Sequence, residues 1–281
     1  MNDQPEQANP GTTRIAFIGA GNMARSLING LVASGHTATD ICASDPSVEQ
    51  RNLIEALGVT TYADNAPAIE GADVIVAAVK PQVLRSVLNG LTIQGDSQLL
   101  ISVAAGVPIG SLRNWTSPEQ PIVRCMPNTP ALLGVGVTAL YGNAHVTPNQ
   151  HATAQHIMEA AGKVVWLTDE TQLDAVTAVS GSGPAYFFYL MEAMVASAVE
   201  LGLDKKTAMF LTLETAYGAA CMARNGDPSP ATLRENVTSP GGTTERALSI
   251  LNEHDVHGAI KQALAGATRR AEELAEEFGN P

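Results

Sequence analysis

Arg14-Ile15-Ala16-Phe17-Ile18-Gly19-Ala20-Gly21-Asn22-Met23-Ala24 decides the fold. The run from Arg14 to Ile18 is apolar, leaves no room for a helix, and runs straight into glycines. A helical pattern follows (Leu27, Ile28, Leu31, Val32) and closes at Gly35, and a second strand from Ile41 to Ser44 completes a βαβ unit. G-x-G-x-x-A between a strand and a helix is the dinucleotide-binding fingerprint in its required setting. Gly19 allows the tight turn, Gly21 lets a pyrophosphate touch backbone, and Ala24 keeps helix and sheet close.

Strand and helix continue to alternate. Val74-Ile75-Val76-Ala77-Ala78-Val79 is a continuous apolar run of the kind found in central parallel strands. It ends at Lys80-Pro81, and Gln82 to Leu88 reads as a helix. Leu99–Val103 leads into Ala104-Ala105-Gly106, and Ile122–Cys125 into Met126-Pro127-Asn128-Thr129-Pro130; Val164–Leu167 reads as the last strand. Ligands of open α/β sheets bind at the carboxyl ends of strands, so these three loops are expected to wall a cofactor cleft beside Gly19.

Asp45, at the end of the second strand, has two open readings. It can hold the ribose hydroxyls of NAD and repel the extra phosphate of NADP. It can equally be an N-cap with Pro46 at the first helical position.

From Asp169 the alternation stops and helical periodicity takes over. Ser180-Gly181-Ser182-Gly183-Pro184 opens a helix from Ala185 to Leu201, apolar nearly all round; Leu203–Arg224 is a second, and Val256–Phe278 an amphipathic closing one. A helix apolar on all sides must be covered on most of them, which predicts a subunit interface.

Between two further helical stretches, Ala231–Val237 and Thr243–Leu251, lies Thr238-Ser239-Pro240-Gly241-Gly242-Thr243-Thr244. Pro240 is expected to end the first helix. Unpaired N–H groups at the start of the second attract a carboxylate or phosphate. A corner capped by Ser239 or Thr243 is the plainer alternative, but one cap needs one hydroxyl and this corner offers four.

The totals set bounds. At 281 residues two domains are expected: a tail over 1–13, an NAD(P)-binding domain over 14–168 and a helical substrate-binding and dimerisation domain over 169–281. The net charge of −12 argues against nucleic acid and anionic membrane surfaces as partners. No apolar run is long enough to span a bilayer and the start has no secretory pattern. Cys42, Cys125 and Cys221 are scattered, which suits buried reduced thiols in a cytoplasmic protein. No residue pattern calls for a metal.

From about Arg14 to Leu264 these motifs resemble the pyrroline-5-carboxylate reductase family. The resemblance rests on Phe17–Ala24, Ala78–Pro81, Ala104–Gly106, Met126–Pro130, Ser180–Tyr186 and, most specifically, Val237 to Leu248. It implies an α/β fold, an N-terminal Rossmann-type doubly wound parallel sheet with a C-terminal all-helical dimerisation domain. It implies NADPH- or NADH-dependent reduction of 1-pyrroline-5-carboxylate to L-proline. By position, Ser239, Gly241, Gly242, Thr243 and Thr244 would hold the substrate, with Thr244 on the ring nitrogen. Ile18, Gly19, Ala20, Gly21, Asn22, Met23, Ser44, Ala78, Val79, Lys80, Pro81, Ala104, Ala105 and Gly106 would line the cofactor, with Asn65 near the adenosine phosphate. Members with Ser or Thr at the Asp45 position lack its charge; the family as a whole favours NADP(H), with NAD(H) possible, and homodimers that often form larger rings such as decamers.

The chemistry agrees: a protonated cyclic imine accepts hydride without a strong base, and none of the six histidines lies in a motif. A β-hydroxyacid dehydrogenase would carry a lysine four residues after Gly183, where Phe187 stands. A protein that only bound nicotinamide nucleotides would have no use for Ser239–Thr244.

Overall fold

The computed structural model describes residues 13–94 and 97–279. Of the expected tail, only Thr13 falls within them. The chain alternates β1 (Ile15–Ile18), α1 (Asn22–Ala33), β2 (Ile41–Ser44), α2 (Val48–Glu55), β3 (Thr60–Tyr62), α3 (Asn65–Ile69), β4 (Val74–Ala77), α4 (Pro81–Asn89), β5 (Leu99–Ser102), α5 (Ile109–Trp115) and β6 (Ile122–Met126). Next come β7 (Gly136–Gly142), α6 (Pro148–Glu159) and β8 (Gly162–Trp166). The rest is helical: α7 (Gln172–Val176), α8 (Gly183–Glu200), α9 (Lys205–Asn225), α10 (Pro230–Asn236), α11 (Thr243–Glu253) and α12 (Val256–Gly279).

The strands form one sheet in the order β3-β2-β1-β4-β5-β6-β7-β8. The order reverses between β1 and β4, where Ile18 pairs with Ser44 on one side and Ala77 on the other. Along β1 the side chains alternate between two cores. Ile15 and Phe17 join Leu27, Leu31 and Ile157 on one face; Ala16 and Ile18 join Leu84, Leu88 and Leu112 on the other. Burial on both faces is why the strand reads as an unbroken apolar run. On the first face α1 passes so close to the end of α6 that a Cβ on Gly30 would overlap the Ala160 carbonyl.

The sheet departs from the expected all-parallel form at one edge: β7 runs antiparallel to β6, and β8 keeps β7's direction. The chain between Met126 and Gly136 turns tightly through Thr129–Leu133, and a parallel return needs a crossover of roughly a dozen residues or more.

The chain divides into two compact units, one reaching Ser182 and taking back the chain from Ala267, the other from Gly183 to Gly266. The first unit thus includes residues 169–182, expected with the helical half. Arg124 of β6 pairs with Glu170 at 3.0 Å, and Asn128 donates to the Ser180 carbonyl at 3.2 Å, which ties that segment to the sheet. It turns through a π-helical stretch, Thr177–Gly181.

In the second unit α8 packs along α9, yet among its residues only Gly183 is buried. Phe187, Phe188 and Tyr189 are 65%, 63% and 76% exposed in the single chain. An apolar face of this extent is what an interface looks like before its partner is added. All three cysteines are free; Cys125 is buried, whereas Cys42 and Cys221 are only half-buried. No described helix is long and apolar enough to cross a membrane.

Candidate active site

Each unit carries one group of the expected site residues. In the first, they gather outside the carboxyl ends of β1, β2 and β4. Gly19 leaves β1 with φ +93°, its N–H on the Ser44 carbonyl at 2.8 Å. A Cβ there would sit 2.8 Å from the Ala78 oxygen and 3.0 Å from a Val79 methyl, so this position admits only glycine. Ala78 and Val79 therefore wall the turn, and Lys80 and Pro81 start α4 just beyond, Lys80 exposed at its N-cap. On Gly21 the opposite holds: a Cβ would touch nothing, so open space lies against the backbone.

Helix α1 begins without a side-chain cap and with no acid in its first turn. The Asn22 side chain instead accepts from Arg25 at 3.1 Å. Among the described residues the N–H groups of Asn22, Met23 and Ala24 take no partner, and a twelve-residue helix aims its positive end at that opening. This is the geometry that receives a pyrophosphate.

The N-cap reading of Asp45 does not hold. It is not the N-cap of α2; Ser47 is, its hydroxyl accepting from Gln50 N–H. Asp45 Oδ1 accepts the Ser47 N–H and Oδ2 the Ala20 N–H, both at 2.9 Å. The carboxylate thus ties the glycine-rich loop to the end of β2. Ser44 is fully buried and donates to Asn65 Oδ1 at 2.8 Å, which leaves the Asn65 amide NH2 as the outward donor.

The third loop differs. Ala104 is buried and Ala105 half-buried, while Gly106, at φ +74°, lies under Leu274 and Phe278, whose nearest atoms would stand 3.2 and 3.4 Å from a Cβ. Packing against the end of α12 accounts for that glycine. In Met126–Pro130 the Asn128 side chain accepts from Val137 N–H at 3.0 Å as well as donating to Ser180, so the motif braces β7 and the π-helical stretch.

In the second unit lies the corner between α10 and α11. Helix α10 ends at Asn236, not at Pro240: Thr238 returns its N–H to the Glu235 carbonyl and its hydroxyl to that of Arg234. Local hydroxyl bonding completes the helix end before the proline is reached. Gly241 takes φ +70°, and Gly242 is the N-cap of α11 with no side-chain cap bond. Neither Ser239 nor Thr243 caps the helix. The cap role falls to Glu245, whose Oε2 accepts the Gly241 N–H at 2.7 Å. Among the described residues, the N–H groups of Thr243, Thr244 and Glu245 and the hydroxyls of Ser239, Thr243 and Thr244 have no partner. Thr243 is exposed and Thr244 half-buried, so the two hydroxyls face different surroundings. An opening with three amides and neighbouring hydroxyls suits a small carboxylate.

Among the described residues no cluster of His, Cys, Asp and Glu could hold a metal ion. Three titrating groups are displaced by burial in the first unit: Cys42 is pushed up to about 11, Cys125 lies well above the usual thiol range, and Asp174, near Arg124, Glu272 and Glu170, is raised above the usual carboxyl value.

Three features escaped the sequence reading: the Asp45–Ala20 bond, the bracing role of Asn128, and Glu245 as the cap. The last had a signal, since an acid in the first turn of a helix that follows Gly-Gly is well placed to bond back.

Known proteins carry the same pattern. The family description "Pyrroline-5-carboxylate reductase dimerisation" matches residues 170–274, and "NADP oxidoreductase coenzyme F420-dependent" matches residues 14–106. The pyrroline-5-carboxylate reductase of Pseudomonas aeruginosa is 50% identical over 270 residues, covering 95% of this chain and 99% of that one. The solved structure of the Coxiella burnetii pyrroline-5-carboxylate reductase superposes with a TM-score of 0.89 at 41% identity, over 94% of this chain and 99% of that one. The Plasmodium falciparum pyrroline carboxylate reductase, solved with NADP bound, gives 0.85 at 28% identity over 94% and 99%. With half its residues shared over nearly the whole length of a relative, the chain belongs to the pyrroline-5-carboxylate reductase family.

Proposed function

We propose that the chain reduces 1-pyrroline-5-carboxylate to L-proline, the last step of proline biosynthesis, with NADPH preferred and NADH accepted. The observation that carries the reading is the α10–α11 corner, with amides and hydroxyls that the protein itself leaves unpaired. A cyclic imino acid offers one carboxylate and one ring nitrogen, which is what such a corner can bind and orient.

The first unit fits the cofactor. Gly19 presses against Ala78 so that the loop turns, Gly21 leaves its outer side open, and α1 presents uncapped amides. Asn22 and Met23 would hold the pyrophosphate by backbone, Ala20 and Gly21 would shape its approach, and Asn65 would donate to the adenosine phosphate. Ala78, Val79, Lys80, Pro81, Ala104, Ala105 and Gly106 complete the expected lining. When bound, the cofactor supplies the hydride.

The protein supplies position. The open amides of Thr243 and Thr244 hold the substrate carboxylate, and the Thr244 hydroxyl fixes the ring through its nitrogen. The imine is protonated before reduction, so the site needs no strong base. Residues 14–168 serve NAD(P) binding and 169–281 substrate binding and dimerisation, with 169–182 and the chain from Ala267 folded into the first unit, and the protein acts in the cytoplasm as a homodimer or a larger assembly such as a decamer.

Spectrophotometric oxidation of NADPH and NADH by the purified protein, with and without 1-pyrroline-5-carboxylate, tests this. Imine-dependent oxidation with formation of proline is expected; no oxidation with either cofactor overturns the reading.

A further inference from the structure

Arg51, in the first turns of α2, curls back over the end of β2. Its Nη1 donates to the carbonyls of Asp45 at 2.6 Å and Pro46 at 3.1 Å. These bonds fix the guanidinium at the carboxyl end of β2, beside the turn where an adenosine ribose lies in a dinucleotide fold. Among the described residues Arg51 is in no direct ion pair, its charge reaching the nearby Glu49 only at longer range, and its Nε and Nη2 have no hydrogen-bond partner. The nearby Glu49 carboxylate is held by the Ser47 hydroxyl at 2.7 Å instead.

The acid at this strand end is already engaged. Each Asp45 oxygen accepts a backbone N–H, from Ala20 and from Ser47, so the carboxylate lies against the protein. Across the turn, Ser44 holds Asn65 by its Oδ1 and leaves the amide NH2 as a donor. A fixed guanidinium with two free donor nitrogens at the end of β2, where Ser44 also holds Asn65, suits a doubly charged oxyanion. A ribose carrying only hydroxyls has no such need.

We propose that Arg51 is the residue by which this enzyme recognises the 2′-phosphate of NADP(H), and that Asp45 serves as a latch on the glycine-rich loop and does not read the ribose. The assignment rests on NADP(H) being the cofactor. Arginine's planar fork is central to it, because lysine offers a point charge without the two parallel donors.

Isothermal titration with adenosine 2′,5′-bisphosphate (2′,5′-ADP) and with 5′-AMP, two fragments that differ only in the 2′-phosphate, reads the contact without catalysis. The wild type should bind 2′,5′-ADP more tightly. Arg51→Ala should weaken 2′,5′-ADP by roughly tenfold to a hundredfold, the loss of one to two charge-assisted hydrogen bonds, with 5′-AMP moved less than about twofold. Arg51→Lys should fall between, and an unchanged melting temperature in either variant excludes a general loss of structure. Equal weakening of both fragments, or of neither, overturns the assignment of Arg51 while leaving NADP(H) as the cofactor. Wild-type protein that binds neither fragment sinks the cofactor reading along with it.

Discussion

The carboxylate of Glu245 accepts the N–H of Gly241 at 2.7 Å, four residues back along the chain. It holds the left-handed turn at Gly241 closed and places a negative charge at the N-terminus of α11, where the substrate carboxylate is proposed to bind. The two effects are separable. Glu245→Gln keeps an acceptor for Gly241 and removes the charge. The KM for 1-pyrroline-5-carboxylate should then fall by about two- to fivefold, the size of one charge at a helix terminus. A KM that rises would mean that the carboxylate assists the substrate, and the proposed seat would be wrong.

Thr244 and Thr243 follow each other in the first turn of α11, and neither hydroxyl is used by the protein. Thr244→Val keeps the shape and removes the hydroxyl. It should cost on the order of 1–3 kcal/mol of transition-state stabilisation, or roughly ten- to a hundredfold in kcat/KM. Because Gly242 and not Thr243 is the N-cap, Thr243→Val should leave both kcat/KM and the melting temperature close to wild type. Steady-state kinetics and thermal melts of the pair decide which threonine reaches the ring nitrogen.

Asp174 carries a carboxyl raised above its ordinary 3.8, by burial first, with Arg124 opposing and Glu272 and Glu170 adding to the rise. Its Oδ1 is buried without a partner. The folded state therefore binds this proton more tightly than the unfolded chain does. The stability it brings is fully present below about pH 4 and is lost as pH rises through the folded value. Asp174→Asn should accordingly melt higher than wild type at pH 7, and the difference should shrink as the pH is lowered towards 4. Scanning calorimetry across that range checks the sign; a variant less stable at pH 7 than at pH 4, relative to wild type, would contradict it.

The exposed aromatics of α8 give the assembly a direct test. Phe188→Glu should dissociate the oligomer, since a charge buried in an apolar interface costs several kcal/mol. Light scattering at micromolar concentration should show a wild-type oligomer and a smaller species for the variant. A wild type that is monomeric and active would remove the reason for the exposed face.

Where the sequence was legible, one physical cause dominated. The first βαβ unit was readable because burial on both faces forces an unbroken apolar strand and the turn forces glycine; β2 is found at the expected Ile41–Ser44. Strand β3 was not readable, since Thr60, Thr61 and Tyr62 are at most half-buried and carry no apolar signature. Strand β7 was hidden by its glycines and by a tight turn with no helix to announce it. At the site, the roles of Asp45, Asn128 and Glu245 depend on which amide each side chain finds after folding. Residue type and spacing say that such a group needs a partner; they do not say which one.

Gly30 has a consequence that reaches beyond packing. It lets α1 rest with its backbone against the Ala160 carbonyl, about 12 Å of helix behind the amides at Asn22. Helix α1 is thus located from its rear, and the glycine-rich loop inherits that location. A methyl group at position 30 lifts the whole rod, so its first injury is to nucleotide affinity, at a residue no nucleotide ever touches. In a survey of tolerated substitutions Gly30 would group with Gly19, the one setting where the mouth of the site lies and the other setting where it points.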